Sequence, residues 1–124
     1  MQLKRFRHDT YFSSKINTHV EFPLNGLDLR HFINKEFIGK YVGSATEYDL
    51  LGFVNHRGSF NGGHYVAYCR NFETGNWLEF DDSRVRNVRE EDIPSLQAYL
   101  LFYVRRSDRQ FDMEKVFAEN GVLR

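Results

Sequence analysis

The sequence predicts an α+β domain built mainly from one antiparallel sheet. Three observations carry that expectation. Short apolar or alternating runs recur between turn-forming residues. Helical periodicity is confined to the chain's end. A strand from His64, a turn and a returning strand to Asp81 read as an antiparallel hairpin, and such a hairpin sets the start of one strand beside the end of the next.

Taken in order, Leu3–Phe6 reads as the tail of a strand and His8–Lys15 as a polar hairpin connection. Ile16–Phe22 alternates Ile16, Thr18, Val20 and Phe22 on one face, which predicts a strand, and Pro23 stops it. Leu24–Phe32 is expected to hold a short helical turn around Leu27-Asp28-Leu29. Asn34–Thr46, with Gly39 and Gly43, reads as a loop. Glu47–Asn55 is a strongly apolar strand, and His56–Gly63 a glycine- and polar-rich loop. His64–Asn71 and Trp77–Asp81 are strands joined by a turn over Phe72–Asn76. Ser83–Val88 follows as a short strand and Glu90–Pro94 as a single turn. The unbroken apolar run Ala98–Arg105 predicts a buried central strand. Ser107 or Asp108 would cap a final helix reaching Glu119, with Asn120-Gly121 as its stop.

The composition is that of one globular domain or part of one, and 12 Phe and 7 Tyr can fill its core. Seventeen basic and seventeen acidic residues cancel. No global field therefore favours nucleic acid or a membrane surface, and clusters such as Lys4-Arg5-Phe6-Arg7 read as solvated faces. One cysteine excludes an internal disulfide framework, argues against a structural zinc site, and fits a reducing compartment. No run approaches membrane-spanning length.

The hairpin carries the chemistry. His64 opens its first strand after Gly62-Gly63, and Asp81 and Asp82 close its second. A carboxylate beside an imidazole is two parts of a nucleophile–His–Asp arrangement. Adjacent strand residues point to opposite faces, so only one of Asp81 and Asp82 addresses His64. Cys69 lies on His64's strand at roughly 16 Å along it and on the other face, which suits packing rather than attack. Ser59 lacks the context of a nucleophile elbow. A metal reading would gather His56, His64 and Asp81, but without a metal-motif spacing, and no metal or other cofactor is expected.

Six motifs in order then resemble a known family. They are Leu3-Lys4-Arg5-Phe6, Phe22-Pro23-Leu24, Tyr48–Val54, Gly62–Tyr68, Trp77–Val85 and Ala98–Tyr103. Together they look like the C-terminal half of the catalytic domain of ubiquitin-specific proteases, papain-like cysteine proteases that remove ubiquitin from proteins. The resemblance covers about residues 2–106, leaving 107–124 as a C-terminal tail. It implies the palm half of the papain-like fold, with the helical thumb missing. It assigns His64 as catalytic base, Asp81 as the group that orients it, and Asp82 as a supporting neighbour. It places Gly62, Gly63 and Tyr65 at the ubiquitin tail, with His56–Gly63 as the mobile loop over that tail.

The family's nucleophile lies in an N-terminal cysteine box with an oxyanion-stabilising asparagine, and neither occurs here; the zinc-bearing fingers are absent too. The resemblance therefore implies a thiol-dependent deubiquitinase represented by a C-terminal fragment, inactive alone. Its partners would be ubiquitin, ubiquitinated proteins and the missing N-terminal thumb segment, inside the cell in cytoplasm or nucleus. A catalytically silent ubiquitin-binding or scaffold module is the alternative. Either way, the sheet face left without its thumb should make the isolated chain associate.

Overall fold

The computed structural model describes residues 1–38, 46–71, 73–95 and 97–106. Two short strands, β1 (Phe6–His8) and β2 (Ser13–Lys15), form a small hairpin of their own. A six-stranded sheet follows, made of β3 (Leu27–Asp28), β4 (Glu47–Ser59), β5 (Gly62–Arg70), β6 (Trp77–Asp81), β7 (Arg84–Val88) and β8 (Ala98–Arg105). Every pairing in it is antiparallel. Among the described residues, the helical content is one turn, α1 (Lys35–Ile38), and 3-10 turns at Arg30–Phe32 and Glu90–Ser95. The expected mostly antiparallel α+β architecture is present.

The sheet is organised around β4. It pairs with β5 from Gly52 to Ser59, with β8 from Tyr48 to Asn55, and its first two residues meet β3. One row of residues runs straight across the strands: Leu101 on β8, Phe53 on β4, Tyr68 on β5, Glu79 on β6 and Arg86 on β7. Because side chains alternate between faces, this row marks the inner face. Leu50, Phe53, Val66, Tyr68, Trp77 and Leu101 are buried there with Phe22, Ile93 and Ala98. The Phe53 and Tyr68 rings stack at 4.6 Å. The opposite face carries the row Val54, Ala67, Phe80 and Val85. Phe80, Val85 and Phe102 are exposed on the chain's surface.

Several local expectations are corrected. Ile16–Phe22 is not a strand. The Arg5 guanidinium takes the carbonyls of Ile16 and Thr18, at 3.1 and 2.6 Å, and a third bond reaches Ala98 O at 2.7 Å. A side-chain fork thus satisfies carbonyls that a neighbouring strand would otherwise have met. The helical turn expected at Leu27–Leu29 is instead strand β3 followed by the 3-10 turn. The stretch read as a loop from Asn34 contains α1; its residues 39–45 lie outside the described residues. β8 is not central, since among the described residues its far edge meets only the N-terminal ones, through a bridge from Gln2 to Leu100 and bonds at Leu3 and Met1. The helix expected after Ser107 also lies outside the described residues.

The largest correction concerns His56–Gly63. It is not a loop: β4 and β5 stay in register to Ser59↔Gly62, and only Phe60-Asn61 turn. Of the glycines that suggested a loop, Gly58 is the one the hairpin backbone itself requires. Gly58 adopts φ +100°, and a Cβ there would come within 2.6 Å of Gly62 O. Lys15 Nζ donates to His56 O and Gly58 O, at 2.6 and 3.2 Å. The Phe60 ring stacks on His8 and meets Phe6 edge-on.

Candidate active site

His64 and Asp81 meet as the hairpin geometry predicts. The β5–β6 ladder pairs Tyr68 with Glu79 and Ala67 with Phe80. One step further brings Asp81 opposite Val66, so His64, two residues along β5, is its diagonal neighbour on the same face. Asp81 Oδ1 accepts a hydrogen bond from His64 Nε2 at 2.5 Å. The Asp81 bond raises the imidazole pKa above its ordinary value, outweighing the opposing effect of desolvation; Asp82 adds to the rise and Arg57 works against it. With Nε2 committed, Nδ1 has no partner among the described residues and is free to exchange a proton.

Asp82 occupies the two-residue turn between Asp81 and Arg84, with φ +51°. Aspartate tolerates this left-handed conformation because its short polar side chain bonds locally. Its carboxylate still lies near the pair: one potential ligand atom from each of His64, Asp81 and Asp82 falls within 4.8 Å of the others. His56 does not join them. It is paired with Tyr65 on β4–β5, and the alternation turns both from His64's face. The three-residue metal grouping of His56, His64 and Asp81 is therefore not assembled.

Gly62 and Gly63 have different surroundings. Gly62 lies two residues before His64 on the same face, and nothing stands within 4 Å of where its Cβ would be. Gly63 has an internal reason to lack a side chain, because the His56 ring fills that space. His56 itself is buried, edge-on to Phe6 and 4.9 Å from the half-exposed Tyr65. Burial, helped by the Lys15 charge, lowers its pKa.

Cys69 sits on β5 opposite Gly52 and Leu78, on the face turned away from His64. Although it is exposed, the atoms packed around its thiol push the pKa above the ordinary range. A thiol that far from the base and that reluctant to ionise does not serve as its nucleophile.

One cluster escapes the sequence reading. Glu79 is buried directly behind His64 and Asp81 on the same face. Its carboxylate accepts Tyr68 Oη–H at 2.5 Å, Arg86 Nε at 2.6 Å and Arg86 Nη2 at 2.9 Å, and Arg57 Nη2 reaches it at 3.5 Å. The Arg86 fork holds the Glu79 carboxyl below its usual range, and burial with that acceptor pushes Tyr68 up to about 12. The signal was present as a glutamate at an inward position of Trp77–Asp81, with an arginine at the matching register of β7.

Residues 1–103 match the family described as ubiquitin carboxyl-terminal hydrolase. Among curated proteins, ubiquitin carboxyl-terminal hydrolase 4 of Pongo abelii is 42% identical over 108 residues, which is 87% of this chain and 11% of that protein. Among solved structures, the Ubp8/Sgf11/Sus1/Sgf73 DUB module of SAGA bound to ubiquitin aldehyde matches at a TM-score of 0.73 and 37% identity, over 86% of this chain and 24% of that one. The same module with Ubp8(C146A), bound to monoubiquitin, matches at 0.71 and 35%, over 86% and 22%. The chain thus spans about a quarter or less of the length of these relatives.

Proposed function

Because this chain belongs to the ubiquitin carboxyl-terminal hydrolase family, we propose that it supplies the general base and its orienting carboxylate to a thiol-dependent deubiquitinase. The single observation that carries the reading is the His64–Asp81 bond, with Nδ1 left unpartnered. In this mechanism a thiol from polypeptide outside residues 1–124 gives its proton to His64 Nδ1. The thiolate attacks the carbonyl after ubiquitin's C-terminal glycine, and the imidazolium then protonates the leaving lysine amine. Asp81 accepts the Nε2 proton bond throughout, which fixes the tautomer and stabilises the imidazolium. Asp82 adds negative charge nearby. The open space over Gly62, on His64's own face, lets an extended backbone approach the base.

Two of the similar solved structures hold monoubiquitin or ubiquitin aldehyde, which supports ubiquitin as the partner proposed here. The position of Cys69 on the far face favours a silent ubiquitin-binding module for residues 1–124 taken alone. A ubiquitin C-terminal fluorogenic amide separates the two. The isolated chain is expected to release no fluorophore. A polypeptide joining it to the family's cysteine box is expected to release it, and to lose at least ~10³-fold in rate on His64→Ala. Release by the isolated chain that survives His64→Ala would overturn the assignment.

A further inference from the structure

A cleft of about 440 Å³ opens along β4 just past the end of β8, lined by Lys15, Asn17, Asn55, Arg57 and Gln97 among others. Its lining holds two cations and three amides and no carboxylate. Among the described residues, Lys15 has no acidic partner and Arg57 shares its one acid, while also donating to Tyr68 Oη at 3.0 Å. Lys15 donates to two backbone carbonyls. Arg57 has one acid within reach, Glu79 at 3.5 Å, and Arg86 already occupies both oxygens of that group. Arg5 adds a third positive charge. Its fork grips the carbonyls on either side of Asn17 and the one next to Gln97; it is 3% exposed, and its Nη2 has no partner. The charges act on one another: after burial, Arg5 lowers the Lys15 pKa, and Lys15 in turn lowers that of His56. In a chain of zero net charge, this is a local excess of positive charge, with Arg57 and Arg86 sharing the one carboxylate of Glu79.

The cleft is next to the reaction centre, since Arg57 is the cross-strand partner of His64. We propose that the cleft binds a carboxylate, carried by an acidic residue of the modified protein close to the lysine that bears ubiquitin. Such a group gains charge-assisted hydrogen bonds from Lys15 and Arg57 and further donors from the amides of Asn17, Asn55 and Gln97. This would make the cleft a specificity site for the acceptor side of the bond. The identity of that occupant rests on the deubiquitinase reading, whereas the preference for an anion rests on the cleft alone.

The test is an NMR titration of the full chain with a blocked Gly-Glu-Lys-Glu-Gly peptide and with its Gly-Gln-Lys-Gln-Gly counterpart. The acidic peptide is expected to shift the Gly58 amide and the side-chain amides of Asn17, Asn55 and Gln97 to saturation, at least fivefold more tightly than the neutral one. Lys15→Gln should weaken it severalfold. Asn17→Asp, which leaves the Lys15 carbonyl bonds in place and puts a carboxylate in the cleft, should remove it. Equal shifts with both peptides, undiminished binding by a folded Asn17→Asp chain, or tighter binding of a short single-stranded oligonucleotide would each overturn the proposal. Ubiquitin titrated in parallel separates the two readings: no ubiquitin binding with the acidic peptide still bound sinks the deubiquitinase reading of the occupant, and the reverse sinks the cleft.

Discussion

Gly63 and His56 compete for one space: a Cβ on Gly63 would lie 1.8 Å from Nε2 of His56. Gly62, its neighbour, faces nothing within 4 Å. Gly63→Ala is therefore expected to cost about 1–3 kcal/mol through overpacking, and Gly62→Ala much less. Chemical denaturation of both variants measures the difference. Equal losses would mean that the His56 ring swings aside freely.

The His64–Asp81 bond predicts a pH signature. The imidazole pKa is raised in the fold. Its contribution to stability is fully present below the unfolded value of about 6.5 and is lost as pH rises through the higher folded value. Asp81→Asn should bring the NMR titration midpoint of His64 down towards the ordinary value and remove that pH dependence. An unmoved midpoint would assign the shift to some other neighbour.

Glu79 predicts the opposite sign. Its folded pKa is depressed, chiefly by Arg86, so its contribution is present above about pH 4.3 and is lost as pH falls through the folded value. Glu79→Gln should cost about 1–3 kcal/mol near neutrality, and Tyr68→Phe about 1 kcal/mol. Denaturant midpoints measured from pH 7 to pH 3 should converge for wild type and Glu79→Gln at the acid end.

The exposed face predicts association. Phe80, Val85 and Phe102 are 39, 57 and 52% exposed on one side of the sheet, where apolar side chains favour contact with a second surface. The isolated chain should sediment with concentration-dependent self-association, and a Val85→Lys, Phe102→Lys double variant should reduce it. A wild-type chain that stays monomeric at high concentration would count against this reading.

What the sequence made legible was local. His64 and Asp81 belong to one hairpin, so pairing brought them together without knowledge of anything else. The alternation of Ile16–Phe22 was equally visible but misleading, because the deciding partner, Arg5, binds those carbonyls and one at Ala98, 93 residues away. His56–Gly63 looked loose because glycine marks loops more often than hairpins. There the stabilising groups, Lys15 and Phe6, come from outside the segment. Glu79 was unreadable as a buried charge because its satisfaction needs residues from β4, β5 and β7 together.

Arg5 also has a kinetic consequence. The β4–β5 hairpin closes over a two-residue turn, and hairpins of this kind form in about 1–10 μs. The Arg5 fork joins segments far apart in sequence, and closing so large a loop is favourable only after the strands it spans are in place. The N-terminal segment should therefore dock after the main barrier has been crossed. Arg5→Lys, which cannot reproduce the fork, is expected to speed unfolding while leaving the refolding rate nearly unchanged, and stopped-flow measurement of both rates would read that order directly.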